Sequence, residues 1–539
     1  SLRAGGSCGG EDALAYTGLS QWLQDYVAAA IAQADGGGSA APFYQRFKQI
    51  VTDPAWTGVI VLAADLASGD LPPQIQGLAA GIDLTRFASH HFGFTASRVV
   101  VSPDTGQISL DGPSSFFGLV DYLDLAYAEN ALSGGDPEVP IPYTVPGDLG
   151  FTVLELRSLF ENTALTRFES RIQLTVRRLF ASSVTAAYRG GLAMPETAVV
   201  LTGSYIDQGG AGAYVFEQTA PSVFVTDSNV LSAVAFDRVQ FNTLGARDAG
   251  ATVASRFLIW GAFDFAELLT SDGALLDVLS FGSADGTQPV ALGAGLAFSN
   301  LVIDMAFPVT TPSASVLVLD TANLAYDLDA SRSRDDSLFR GFALQLKSFV
   351  EVTGAKTPAD LGFLSVSSTL PLQRLTAPWY GVVYEVTLGG PGALASAADF
   401  TSNLLVAWSP KSTADATTRS VFLGLSLPGA APGAKLFSIE GVFKVAVGSI
   451  ALSRQVVPDT GQDPPPPPRQ YYCLRLDDIA LKIFGIVKLP PSATIRFFLF
   501  GDPDRMGSLG WYAAYVADQV PALPSAPRAL PAATDEVQP

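Results

Sequence analysis

Apolar residues along this chain recur at every second position and then slip by one at short polar pairs. In Leu296–Ile303, Leu296 and Phe298 precede the pair Ser299–Asn300, and Leu301 and Ile303 follow it. The figure returns around Asp237–Arg238 (Val234, Phe236, then Val239, Phe241) and around Gly448–Ser449 (Val445, Val447, then Ile450, Leu452). It returns again around Asp477–Asp478, between Leu474, Leu476 and Ile479, Leu481, and more loosely as Leu317/Leu319 then Leu324/Tyr326. Alternate residues of a strand share a face, so a step of three across each pair flips the phase. A β-bulge restores it, because two residues of one strand then oppose a single partner. Each copy is therefore expected to be one strand held on the core by a bulge, or two strands meeting at a tight bend.

Plain period-two runs surround these copies. In Phe168–Arg177 the even positions are apolar or small and the odd ones polar, and Tyr380, Val382, Tyr384, Val386 and Leu388 repeat the alternation. One face buried and one wet is the mark of antiparallel sheet, and turn residues every ten or so positions are the cadence of sandwiches and barrels. The expected fold is mainly β: a multi-domain, antiparallel, sandwich- or barrel-like region. Its breaks are placed at Gly354–Pro358 and Ser409–Thr418, giving β-rich domains over 148–354 and 355–520. Pro464–Pro468 reads as a polyproline II loop, and 521–539 as a disordered Pro/Ala-rich tail. The copies follow no fixed spacing, so a solenoid or propeller is not expected.

Residues 1–147 differ and are expected to form a smaller α+β domain. Gly18–Ala34 carries Leu19, Trp22, Leu23, Tyr26, Val27 and Ala30 on one helical face, and a short helix is expected near Phe43–Ile50. Thr57–Leu66 reads as a buried strand. Pro72–Pro73 is expected to open a helix that reaches His91. Arg98–Ser102 and Gln107–Leu110 form a hairpin around Pro103–Gly106, and Phe116–Leu125 is a strand or short helix. A linker, Gly134–Pro146, closes the domain.

Composition narrows the function more than it names it. Hydrophobic residues make up 48% of 539 and charged residues 15%, which is ample for large cores and too little charge for a disordered chain. The net charge of −19 argues against nucleic acid and anionic membrane as partners. No run of 18 apolar residues suggests a transmembrane helix. The start Ser1–Cys8 reads as a processed or excised terminus, and the low Cys, Met and Lys content suits an extracellular or cell-surface protein. Cys8 and Cys473 would pair only by joining the two ends of the chain.

Candidate chemistry is sparse. Hydrolase, zinc-protease and phosphate-loop signatures are absent. The only histidines, His90 and His91, are adjacent; packing of His91 and a partly exposed His90 at a helix end account for them better than a metal site does. Asp327, Asp329, Asp335 and Asp336 gather carboxylates as a calcium loop does, yet Arg332 and Arg334 neutralise them and no EF-hand pattern is met. Trp379–Tyr380 and Trp511–Tyr512, beside Pro and Gly, are candidates for an exposed aromatic binding site. The reading that fits best is a non-enzymatic structural or interaction protein without a cofactor that docks onto other protein subunits. A carrier of apolar ligands and a glycan-binding, carbohydrate-active enzyme are the alternatives.

Overall fold

Helices, then strands, follow the order in which the local pattern changes. The computed structural model describes residues 13–517 apart from short stretches, the longest being 283–294, 388–400, 410–420, 427–435 and 458–468; beyond 478, only Arg496 has a described side chain. The described fold is mainly β, 57% strand against 17% helix, in several antiparallel sheets with no closed barrel.

Two helices, α1 (Ala13–Asp35) and α2 (Ala41–Thr52), pack against the start of a 16-stranded sheet. That sheet runs β1 (Gly58–Leu62), β2 (Ser89–Thr95), β3 (Ser115–Leu123), β4 (Leu149–Glu161), β5 (Ala164–Val176) and β6 (Ala198–Asp207) in spatial order. A short helix, α3 (Leu125–Leu132), follows β3, with the Asp124 carboxylate accepting from the Ala126 and Tyr127 amides as its N-cap. Residues 134–145 lie against the sheet: Ile141 exchanges both backbone hydrogen bonds with the Gln173 side chain, at 3.0 and 2.8 Å. β3 and β4 pair directly across it, from Phe117↔Glu161 to Leu123↔Glu155.

The helix expected from Pro72 to His91 is not formed. Pro73–Gly81 is a 3-10 segment, and Ser89–Thr95 is strand β2. The 3-10 segment buries Ile75 and Leu78 on the sheet face away from α1 and α2. It comes so close that a Cβ on Gly77 would lie 2.1 Å from the Ser255 hydroxyl oxygen. Only glycine permits that approach.

The sheet continues through β7 (Gly212–Gln218) to three long strands, β8 (Leu231–Asp248), β9 (Thr252–Phe265) and β10 (Gly295–Pro308). Here the phase slips become geometry. Phe236 pairs with Gly261 and Arg238 with Trp260, so Asp237 is the extra residue of a bulge. Ile259 pairs with Leu301 and Gly261 with Phe298, so Ser299–Asn300 oppose Trp260 alone. Two bulges thus flank one residue, and the Arg238 guanidinium lies 3.7 Å above the Trp260 ring. Asn300 takes φ +60°, a left-handed conformation that Asn and Asp accept more readily than other side chains. Phe298 and Leu301 are both buried in the same core, as the phase argument requires.

β10 also changes partner at the bulge. It pairs β11 (Val316–Asp320) over Val302–Ala306 and β12 (Ala325–Arg332) over Gly295–Ser299. The loose copy is therefore two strands meeting at a turn. The smaller sheet that includes β13 (Leu344–Val352), β14 (Trp379–Thr387), β15 (Thr401–Trp408) and β16 (Val421–Ser426) packs on the large one. Phe180 and Phe263 of the large sheet meet Phe349 and Tyr380 of the smaller one, with ring centroids 5.6–6.1 Å apart.

The last sheet repeats the β10 device. β17 (Phe443–Ala446) and β18 (Ser449–Val457) are separated at Val447–Gly448, and both pair with β19 (Arg469–Ile483). The slip on β19 falls between Leu476 and Ile479, with Asp478 at φ +54°. A single hydrophobic cluster runs from Leu71 to Leu476 and joins the three sheets.

Candidate interaction surface

Strand β2, S-H-H-F-G-F-T, has one face for each kind of residue. Ser89 pairs with Val120 and His91 with Leu119, so His90 is the extra residue of a bulge and both imidazoles turn inward beneath the helices. Phe47 of α2 touches both rings, at 5.2 and 4.7 Å between centroids, and Tyr26 of α1 lies on His90 at 4.6 Å. The Tyr26 hydroxyl donates to the His90 carbonyl, and Tyr44 donates to Asp121. His91 is fully buried, and its Nε2 has no hydrogen-bond partner.

From Asp121 a ladder of ion pairs crosses the same face. Asp121 of β3 stands opposite Arg157 of β4 in register and accepts from its Nε at 3.0 Å. Glu155 holds Arg157 on its own strand and Arg171 of β5 at 2.6 Å, and Arg171 also reaches Glu169 at 3.0 Å. Cross-strand register sets these contacts, since directly opposed residues bring their side chains together. Burial drives His90 down to about 4, against the pull of Asp121. Burial and the neighbouring His90 take His91 down to about 3. Burial raises the Tyr26 and Tyr44 hydroxyls, and Asp121 adds to both shifts. These groups are neutral or mutually paired, and they face packed side chains. The arrangement fastens α1 and α2 to the sheet.

On the opposite face, Val120 and Tyr122 of β3 pack into the main core, and an exposed apolar patch lies beyond them toward β1. Val59 pairs with Phe94, which pairs with Phe116; Val61 pairs with Phe92, which pairs with Gly118. Directly opposed residues share a face, so these side chains form one patch. Phe160 of β4 extends it by lying over Gly118, where a Cβ would meet its ring at 2.1 Å. Val59 is 51% exposed, Val61 38%, Phe92 40% and Phe116 59%. Of Thr57–Leu66, expected as a buried strand, only Gly58–Leu62 is strand, and it is an edge strand covered on one side only. An apolar run tells how a strand would like to be packed, and whether a second layer exists depends on distant segments.

The candidates read from sequence lie elsewhere. Trp379 and Tyr380 are not in an exposed turn: they begin strand β14, at 1% and 7% exposure. The alternation through Val382 and Tyr384 carries Tyr380 into the seam between sheets, while Trp379 packs with Val383 and Leu405 on the other face. Both faces of that sheet are covered, which the turn-like Pro378 obscured. Trp511 and Tyr512 lie on the strand Leu509–Ala517, and their side chains are outside the described residues. Asp327 and Asp329 are exposed on β12, and the Asp327 carboxylate accepts from the Asp329 and Ala330 amides where the register with β10 shifts. Asp335 and Asp336 lie outside the described residues, as do Cys8, Pro464–Pro468 and the tail. Cys473 is buried. Among the described residues no cluster of three or more metal-ligating side chains occurs, and no helix is long and apolar enough to cross a membrane.

A cleft of about 400 Å³ lies between the β11–β12 turn and β13, lined in part by Leu324, Tyr326, Lys347 and Phe349. Among the described residues that line it, none is acidic. No family model matches the chain, and no curated protein or solved structure matches it either.

Proposed function

We propose that this chain is a non-enzymatic β-rich interaction protein that docks onto protein subunits through the open face of β1, β2 and β3. The observation that carries this reading is the coplanar patch of Val59, Val61, Phe92, Phe94 and Phe116, left uncovered on a sheet whose other face is firmly held. Contiguous exposed aromatic and aliphatic side chains mark contact sites, and aromatic residues dominate the energetics of such sites. The net charge of −19 supports a selective contact, because it opposes indiscriminate association.

A photo-crosslinking residue in place of Phe92 or Phe116, introduced in the natural host, tests this. Crosslinks to protein are expected, with the attached peptide identified by mass spectrometry. Crosslinks to lipid or to a small apolar molecule alone would overturn the reading in favour of a membrane or carrier role.

A further inference from the structure

We infer that this face is doubled by a second copy of the same chain, joined edge to edge through antiparallel pairing of β1 with β1. The inference rests on the reading of the open face as a protein-docking site. β1 ends the 16-stranded sheet, and among the described residues no strand pairs with its outer edge. Edges are normally guarded by Lys, Pro, an inward charge or a bulge. Gly58-Val-Ile-Val-Leu62 has none of these, and its pairing with β2 is regular throughout. It is the kind of edge that another strand extends.

The sequence of β1 favours a copy of itself over an unrelated strand. Antiparallel pairing about Ile60 sets Val59 of one copy opposite Val61 of the other, and the reverse, so the contact is self-complementary about a two-fold axis. Gly58 falls opposite Leu62, the smallest side chain against the largest. No charged residue of the strand is brought near its like. Because Val59 and Val61 point to the open side, the two patches become one apolar surface, with four valines at the seam and Phe92, Phe94 and Phe116 of each copy on either flank. The inner side chains Ile60 and Leu62 stay on α1 and α2, so pairing requires no rearrangement. Ala63, at φ +51°, turns the chain away and limits the pairing to this strand.

The test uses the purified full chain in sedimentation velocity from low to high micromolar concentration. A reversible dimer is expected. Val59→Lys with Val61→Lys, both on exposed positions and so harmless to folding, should weaken it at least about a hundredfold, since like charges would then face each other across the axis. Val59→Glu with Val61→Glu should do the same, and mixing the two variants should restore a heterodimer. A wild-type chain that stays monomeric would overturn the inference, and so would a dimer indifferent to the lysine pair or a mixture that fails to associate. If the photo-crosslinks of the preceding section join a different protein while the chain itself stays monomeric, docking stands and self-pairing does not.

Discussion

His90 and His91 bring their Nδ1 atoms to 3.0 Å, so one ring donates to the other. Of the two arrangements, donation by His91 costs less. It leaves the partnerless Nε2 of His91 as a bare acceptor, whereas the reverse would bury an N–H with nothing to receive it. A further proton on the accepting Nδ1 would set two N–H groups head to head, and one on the buried Nε2 of His91 would leave an N–H with nothing to receive it.

The pH dependence follows with a definite sign. Both folded-state values lie below 6.5, at about 4 for His90 and about 3 for His91. Above pH 6.5 neither state binds the proton, and the pair contributes no pH dependence. As pH falls below 6.5 the unfolded chain takes up protons that the folded chain refuses, so stability declines. By pH 4 the loss should be on the order of 3 kcal/mol per histidine. Replacing His90→Phe and His91→Leu should flatten the unfolding midpoint between pH 6.5 and 4 relative to wild type. An unchanged slope would mean that the rings are accessible to protons.

Glu155→Gln keeps the shape of the side chain and removes the carboxylate that holds Arg157 and Arg171. Breaking one side of a buried ion pair costs about 3–5 kcal/mol, because it strands the partner charge. Faster hydrogen exchange is expected in β4 and β5, with α1 and α2 loosened as well. Exchange identical to wild type would show that Asp121 and Glu169 suffice for both arginines.

At the bulge, Asn300→Gly should be tolerated within a few tenths of a kcal/mol, while Asn300→Val should cost about 1–2 kcal/mol from its left-handed backbone alone. Asp478→Gly and Asp478→Val should follow the same order. The thermal midpoints of the four variants measure this. Equal effects of Gly and Val would remove the conformational explanation.

Trp379→Ala should behave as a core truncation, losing about 3–5 kcal/mol. Its indole Nε1 donates to the Lys356 carbonyl at 2.8 Å, so the change also strands that acceptor. A variant of wild-type stability would restore the case for a surface role of this residue.

Much of the strand architecture was legible along the chain. The slips at Ser299–Asn300 and Asp477–Asp478 announced bulges because phase is a property of neighbouring residues, and Asn and Asp sit where the backbone turns left-handed. The slip at His90–His91 is the same device, with polar rings turned inward. It went unread because a proline-led apolar stretch before it imitates a helix start. A period-two reading of Phe92-Gly93-Phe94 against Val59 and Val61 was the one available sign of the open patch. The ion-pair ladder had no such sign, since Asp121, Glu155, Arg157 and Arg171 belong to three strands that only the register aligns.

By itself, the sequence determined that this protein is built from antiparallel strands, where those strands bend, and that helices precede them. Periodicity, bulge phase and turn chemistry act over a few residues and need no distant partner. Only the tertiary structure decided which faces are covered: Tyr380 sealed between sheets, His91 closed under α2, Val59 and Phe116 left open. Burial depends on what the rest of the chain lays across a strand, and side chains with the same local pattern meet different neighbours.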